Sequence, residues 1–230
     1  GGVRVAGPSI APAHATPLEG EVTATWRNGP AMIVDEPARV ARTEWPGRQG
    51  TPQASNASFH PDFGVFAKGH PVGPGRHVSL RIVPRDQARW ISRYPDLFIN
   101  VDQKGRHFAT LGAGPPSGDS TSECGVQPLI SGFNRAGDVA IEPLWLERLK
   151  YSPVTENELI TRLLWLDSQY EDRLWYCFAP LFGRDFYNSN SFISGLLRAG
   201  QIPRPLTPAI YLIRYPGWGK PIPASALGLQ

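Results

Sequence analysis

The chain has 230 residues, long enough to bury the core of one large domain. Hydrophobic residues make up 41% and aromatics 10%, which excludes a disordered chain; 24 Gly and 24 Pro make it rich in loops. Twenty-three basic against 20 acidic residues leave a net charge of +3 with the arginines scattered, which argues against a nucleic-acid partner, and no run of about 18 apolar residues exists to span a membrane.

Residues 1–20 are rich in Gly, Pro and Ala and read as a flexible arm or linker. The start Gly1-Gly2-Val3, with no Met and no signal-like segment, reads as a processed product or a fragment. Residues 21–230 form one domain in this reading, with its core at about 77–223. Residues 21–34 look like two short strands around an Asn28-Gly29 turn. Residues 44–76 are turn-rich and read as a long irregular excursion. His60 and His70, each before a Pro, read there as solvated loop residues, as does His14 in the arm.

At His77 the pattern changes. His77-Val-Ser-Leu-Arg-Ile-Val83 alternates, with Val78, Leu80 and Ile82 on one face and His77, Ser79, Arg81 and Val83 on the other. Asp86 is placed to cap a short helix over 87–93. Strands follow at 97–101 and 107–111, separated by a turn at Gly105. Residues 119–143 read as loops with weak strand signals. Thr155-Glu-Asn-Glu158 is a capping box, and Leu159, Ile160, Leu163, Leu164 and Leu166 give a helical apolar stripe behind it. A second helix spans about 189–198, buries Phe192, Ile193, Leu196 and Leu197, and stops at Gly200. The Pro-rich tail from 206 is expected to wrap the surface.

Cys124 lies in a polar loop and Cys177 in an aromatic run, so the preferred reading is one exposed and one core thiol. A disulfide is the alternative for an exported protein. No CxxC or Cys/His zinc spacing occurs, and neither a metal nor a cofactor is expected.

Two features carry chemistry. His77 and His107 each open a strand, where sites built from loops commonly lie. Asn188-Ser-Asn-Ser-Phe192 opens the second apolar helix, where free backbone N–H groups favour a developing anion. A serine there needs a neighbouring base. Ser189 and Ser191 lie about 200° apart around a helix, so only one can face His77, and Ser189 is closer to the buried face. Asn188 or Ser189 also suits plain capping.

An early strand opening with His77 and a later helix opening with Asn188-Ser-Asn-Ser-Phe192 resemble the circularly permuted NlpC/P60, papain-like superfamily, of the lecithin:retinol acyltransferase-like kind. The stretch Tyr187–Phe192 with Pro216-Gly-Trp218-Gly-Lys-Pro-Ile-Pro223 is similar to hydrolase-type toxin domains of bacterial secretion systems. The resemblance covers roughly residues 77–223. It implies an α+β fold, with a short antiparallel sheet packed on helices and long irregular loops. It implies Ser189 where the family has its nucleophilic Cys, His77 as the base and His107 as the group orienting it, with Thr110 a weaker candidate; Ser191 and Asn188 are secondary site residues. Ser189 in place of Cys fits a natural serine enzyme, an engineered replacement, or a pseudoenzyme that only binds.

The implied reaction is cleavage of a phospholipid acyl ester, or of a peptide amide of the cell wall, by a secreted antibacterial effector acting at a target-cell envelope. Trp26, Trp45, Trp90 and Trp218, with the mild positive charge, suit a membrane surface; core packing is the other reading for at least half of them. The rival is a non-catalytic module docking a secretion component or an immunity protein through residues 1–76 and 201–230.

Overall fold

Gly73 and Pro74 make the first sharp turn, with Gly73 at φ 52°, and the chain folds back on itself there. The computed structural model describes residues 60–118, 123–151, 154–180 and 184–229. The arm at 1–20, the two strands expected around Asn28-Gly29, Trp26 and Trp45 lie outside them.

Strands β1 (Gly64–Val72) and β2 (Gly75–Val83) form an antiparallel hairpin with His70 opposite His77. Helix α1 (Gln87–Arg93) follows, and the Asp86 carboxylate accepts the Arg89 N–H as its cap. Then come β3 (Asn100–Val101), β4 (His107–Gly114), β5 (Ile130–Phe133), α2 (Ala136–Ala140) and β6 (Trp145–Arg148). The sheet order is β3-β4-β2-β1-β6, with β5 pairing β4 beside β3, and every pairing within it is antiparallel. Helix α3 (Glu156–Gln169) carries the capping box in both directions: Thr155 Oγ1 accepts the Glu158 N–H and Glu158 accepts the Thr155 N–H. A two-stranded parallel pair, β7 (Trp175–Tyr176) and β8 (Phe186–Tyr187), precedes helix α4 (Ser189–Ala199). Helix α5 (Leu206–Ile210) and a 3-10 turn at Ala224–Leu227 end the chain.

The fold is therefore mixed α+β. One sheet face, carrying Val65, Ala67, Val78, Leu80, Ile82, Ala109 and Leu111, packs against Leu159, Ile160, Leu163 and Leu164 of α3 and Phe192, Ile193, Leu196 and Leu197 of α4. Each such side chain contributes about 1.5–3 kcal/mol by leaving water. The other face carries a smaller cluster, Phe66, Val83 and Phe108, with Val139 of α2 packed on it.

Several expectations need correction. The excursion at 44–76 contains β1, whose Lys68 and His70 are buried on alternate positions between Val65, Ala67 and Gly69. Residues 119–143 hold β5 and α2. The strand expected at 97–101 is only two residues long, because Leu97 and Phe98 close the turn after α1 and enter the core instead. The tail does more than wrap the surface: Tyr215, Trp218, Ile222 and Leu227 are core residues. Trp90 and Trp218 are each 1% exposed and offer nothing to a membrane. Cys124 and Cys177 form a disulfide rather than two thiols, because the Cys124 loop pairs with the strand through Gly125 N–H to Tyr176 O.

Candidate functional site

Strand alternation puts His70, His77, Lys68, Ser79, Gly112 and Gly114 on the sheet face that α2 covers. The His70 and His77 ring centroids are 4.7 Å apart. Helix α2 lowers Asp138 onto them. His77 Nε2 lies 2.8 Å from Asp138 Oδ1, and His70 Nε2 lies 3.9 Å from the same oxygen. The contact is within hydrogen-bond distance, but the ring N–H on Nε2 is not aimed along it. Lys68 Nζ donates to the Asp138 backbone carbonyl at 2.6 Å. A Cβ on Gly112 would strike the Asp138 carboxylate and come 3.5 Å from His77 Nε2; the bare backbone there admits the pair.

The electrostatics follow from burial and these neighbours. Burial, then the neighbouring His77, hold the His70 pKa down at about 3, so His70 is a neutral ring. Burial pushes the Asp138 pKa up, but His77 and Arg135 outweigh it and the carboxyl stays well below its ordinary value. Burial lowers the pKa of Lys68. His77 thus has a fixed carboxylate on one ring nitrogen, while its Nδ1 bonds to no described residue and is not sealed from solvent.

Helix α4 starts beside this cluster. Past Leu80 and Leu111, β2 and β4 separate, and the Asn190 side chain enters the gap. Its Oδ1 accepts the Val78 N–H at 2.8 Å and its Nδ2 donates to Arg76 O at 2.9 Å, bracketing His77 in the chain. Asn188 caps the helix, accepting the Ser191 N–H and donating to Phe178 O and Pro216 O. Ser191 Oγ is committed to Gly217 O at 3.1 Å and is fully buried, so it is a structural residue and not a free nucleophile. Ser189, 7% exposed, is the serine of this motif whose hydroxyl has no described hydrogen-bond partner and is not sealed.

Ser189 and His77 are not hydrogen-bonded. The α4 body packs on the sheet face opposite the His77 ring, and only its first turn reaches the gap between the strands. His107 does not orient His77. It sits at the far end of β4, seven residues from the level of His77, about 23 Å along the strand. Its Nδ1 meets Phe98 O at 2.8 Å, and its backbone N–H donates to Gln87. Thr110 shares the His77 face but stands opposite Arg81, four residues or about 13 Å away, with its hydroxyl buried and unpaired. The side chain beside the His77 ring is Asp138, not His107.

The sequence reading missed Lys68, His70, Arg135 and Asp138. One signal was available for His70: it and His77 are equidistant from the Gly73-Pro74 turn, so a hairpin there pairs them. No local pattern points to Asp138, because a five-residue helix carries almost no periodicity.

His70, His77 and Asp138 each offer a donor atom within 4.8 Å of the others, a spacing open to a metal ion. The Lys68 ammonium on the Asp138 carbonyl and the Arg135 charge near the carboxylate oppose a divalent cation there. Comparison with family models, curated proteins and solved structures returns no match.

Proposed function

We propose that this chain is a hydrolase or acyltransferase of the permuted papain-like kind, with Ser189 as nucleophile, His77 as base and Asp138 as the group that orients the base. The observation that carries this reading is the His77–Asp138 contact of 2.8 Å: a buried carboxylate lies on Nε2, Nδ1 bonds to no described residue, and the Asn190 side chain of the first turn of α4 holds the backbone on both sides of His77. The Ser189 proton passes to Nδ1 as Oγ bonds the carbonyl carbon. The C–O bond to the leaving alcohol then breaks as His77 returns the proton, and water releases the acyl group by the same steps. Asn188 takes the N–H of Ser191 at the helix start, and in this reading the N–H groups of Ser189 and Asn190 hold the oxyanion. The proton transfer requires Ser189 and His77 to approach each other, because they are not hydrogen-bonded and the α4 body lies on the sheet face opposite the His77 ring.

A phospholipid ester is favoured over a cell-wall amide by the segment that leads into this site. Ile210 is 69% and Ile213 98% exposed, with Leu206, Tyr211 and Leu212 exposed beside them. The same chain runs directly into Pro216 and Gly217, whose carbonyls accept from Asn188 and Ser191. Residues 186–230 contain Arg198, Arg204, Arg214 and Lys220 and no acidic residue, which complements an anionic lipid surface. The disulfide supports an oxidising compartment, and with it a secreted effector at a target-cell envelope.

The test is release of fatty acid from mixed phospholipid vesicles, with cell-wall fragments in parallel, read by mass spectrometry for the wild type, His77→Ala, Ser189→Ala and Ser189→Cys. Fatty acid from wild type and none from His77→Ala or Ser189→Ala supports the reading, and activity in Ser189→Cys alone marks a trapped thiol enzyme. No product from any of them favours the second reading, a non-catalytic module that binds an immunity or secretion partner. The opposite-face placement of the His77 ring and the α4 body is the observation on its side.

A further inference from the structure

Arg135 precedes α2 and lies against β4 next to the His77–Asp138 pair. A Cβ on Gly114 would come 2.5 Å from its Nη1 and 2.8 Å from its Cζ, so the guanidinium rests directly on the strand backbone. Gly114 is two residues along the same face from Gly112, on which the Asp138 carboxylate rests. That spacing puts the guanidinium about 7 Å from the carboxylate along the strand. The side chain is half-buried, it makes no hydrogen bond or ion pair within 4 Å with any described residue, and its nitrogens are not sealed from solvent. A guanidinium carries five N–H donors in a planar fork, and here they face solvent with no protein partner, free to take an anion from outside the chain.

The local charges point to the sign of that partner. Lys68 and Arg135 are the basic side chains, Asp138 is the one buried carboxylate among them, and His70 is neutral; Glu142, whose charge acts on Lys68, is exposed. Basic groups outnumber acidic ones in the cluster, and its partnerless member is the one with a planar fork that fits an oxyanion in two-point contact.

We propose that Arg135 is an anion-binding residue of the candidate site, holding a phosphate oxyanion of the substrate beside His77. This rests on the proposed function for its biological meaning, since in a phospholipid the phosphodiester lies a few bonds from the acyl ester. The binding event itself needs no catalysis. Two small probes separate the sources of that chemistry: inorganic phosphate, and glycerophosphocholine as the free phosphodiester head.

The experiment is an NMR titration of the full, isotope-labelled chain with each probe at constant ionic strength, reading the Gly112 and Gly114 amides and the His77 ring. Saturable shifts in the wild type are expected, weakened tenfold or more in Arg135→Gln and only partly in Arg135→Lys. Gly114→Ala, which pushes the guanidinium off the strand, should weaken binding as Arg135→Gln does. Stronger binding of glycerophosphocholine assigns a lipid head, and stronger binding of phosphate assigns a free phosphate. Absence of shifts up to 100-fold molar excess over a millimolar protein sample, or equal binding by Arg135→Gln, overturns the proposal. Ser189→Ala should bind both probes as the wild type does. Probe binding by a chain that releases no fatty acid would leave the anion site standing and remove the enzyme; fatty acid release without probe binding would do the reverse.

Discussion

Asp138→Asn is the perturbation that bears most on the site, because it changes one atom of a side chain that is 3% exposed and keeps its shape. In the proposed mechanism the carboxylate, 2.8 Å from Nε2, keeps the His77 proton on that nitrogen and leaves the Nδ1 lone pair as the base. An amide at 138 can present its NH2 to Nε2, which draws the ring proton to Nδ1 and leaves no lone pair for Ser189. The wrong tautomer costs about 10⁴-fold in turnover where such pairs have been altered, about 5 kcal/mol of barrier. The fold suffers as well. The buried Asp138 charge, which favours the charged forms of Lys68 and Arg135 at a distance, is lost with the carboxylate. The assay therefore reads two quantities on folded protein: fatty acid release, and the His77 tautomer by ¹⁵N NMR of the ring. The expected result is a Nε2–H ring in the wild type, a Nδ1–H ring in Asp138→Asn, and activity lowered at least a thousandfold. A folded Asp138→Asn variant with full activity, or with an unchanged His77 tautomer, would refute the orienting role.

Three further outcomes follow from other parts of the molecule. Reduction of Cys124–Cys177, which closes a loop over a separation of 53 residues, should lower unfolding free energy by about 2–4 kcal/mol in denaturant titration; no change in midpoint would contradict a formed bridge. Burial raises Asp167 to about 7 from 3.8, and its Oδ1 has no partner. The folded state therefore holds this proton more tightly than the unfolded state, and the cost of ionising it grows as pH rises from about 4 to 7, then stays constant. Asp167→Asn should stabilise the fold by about 1–4 kcal/mol at pH 8 and little at pH 4, the range allowing for the partial exposure of the residue; equal effects at both pH values would contradict this. Ile213→Asp, at a residue 98% exposed, should leave thermal stability unchanged and reduce sedimentation with phosphatidylglycerol vesicles at least fivefold; wild-type binding to neutral vesicles only, or none, would remove the lipid-facing role.

Local signals made much of the fold legible. The capping box at Thr155–Glu158, the Asp86 cap and the alternation from His77 each describe contacts between residues close in the chain, and each appears where the pattern puts it. The apolar stripe of α4 is read equally well from 192, 193, 196 and 197. The site was legible only at its two chain-local ends, a strand opening at His77 and a polar helix start at Asn188–Ser191. What joins them is tertiary. Asn190 spans 112 residues to reach Val78, and Asp138 arrives on a five-residue helix with no pattern of its own. His107 looked equivalent to His77 because both open strands, but antiparallel pairing sends the two openings to opposite ends of the sheet. Lys68 and His70 were hidden by Gly69 and Pro71, which read as loop residues although they sit within β1.

The central claim is that the Ser189 hydroxyl is a nucleophile activated by His77. A fluorophosphonate bearing a lipid chain tests it directly: attack by Oγ forms an O–P bond, expels fluoride and leaves a stable adduct that intact mass and peptide mapping locate. The account predicts one adduct per chain, on Ser189, absent in His77→Ala and slowed in Asp138→Asn. An unlabelled wild type, an adduct on another residue, or equal labelling of His77→Ala would contradict it.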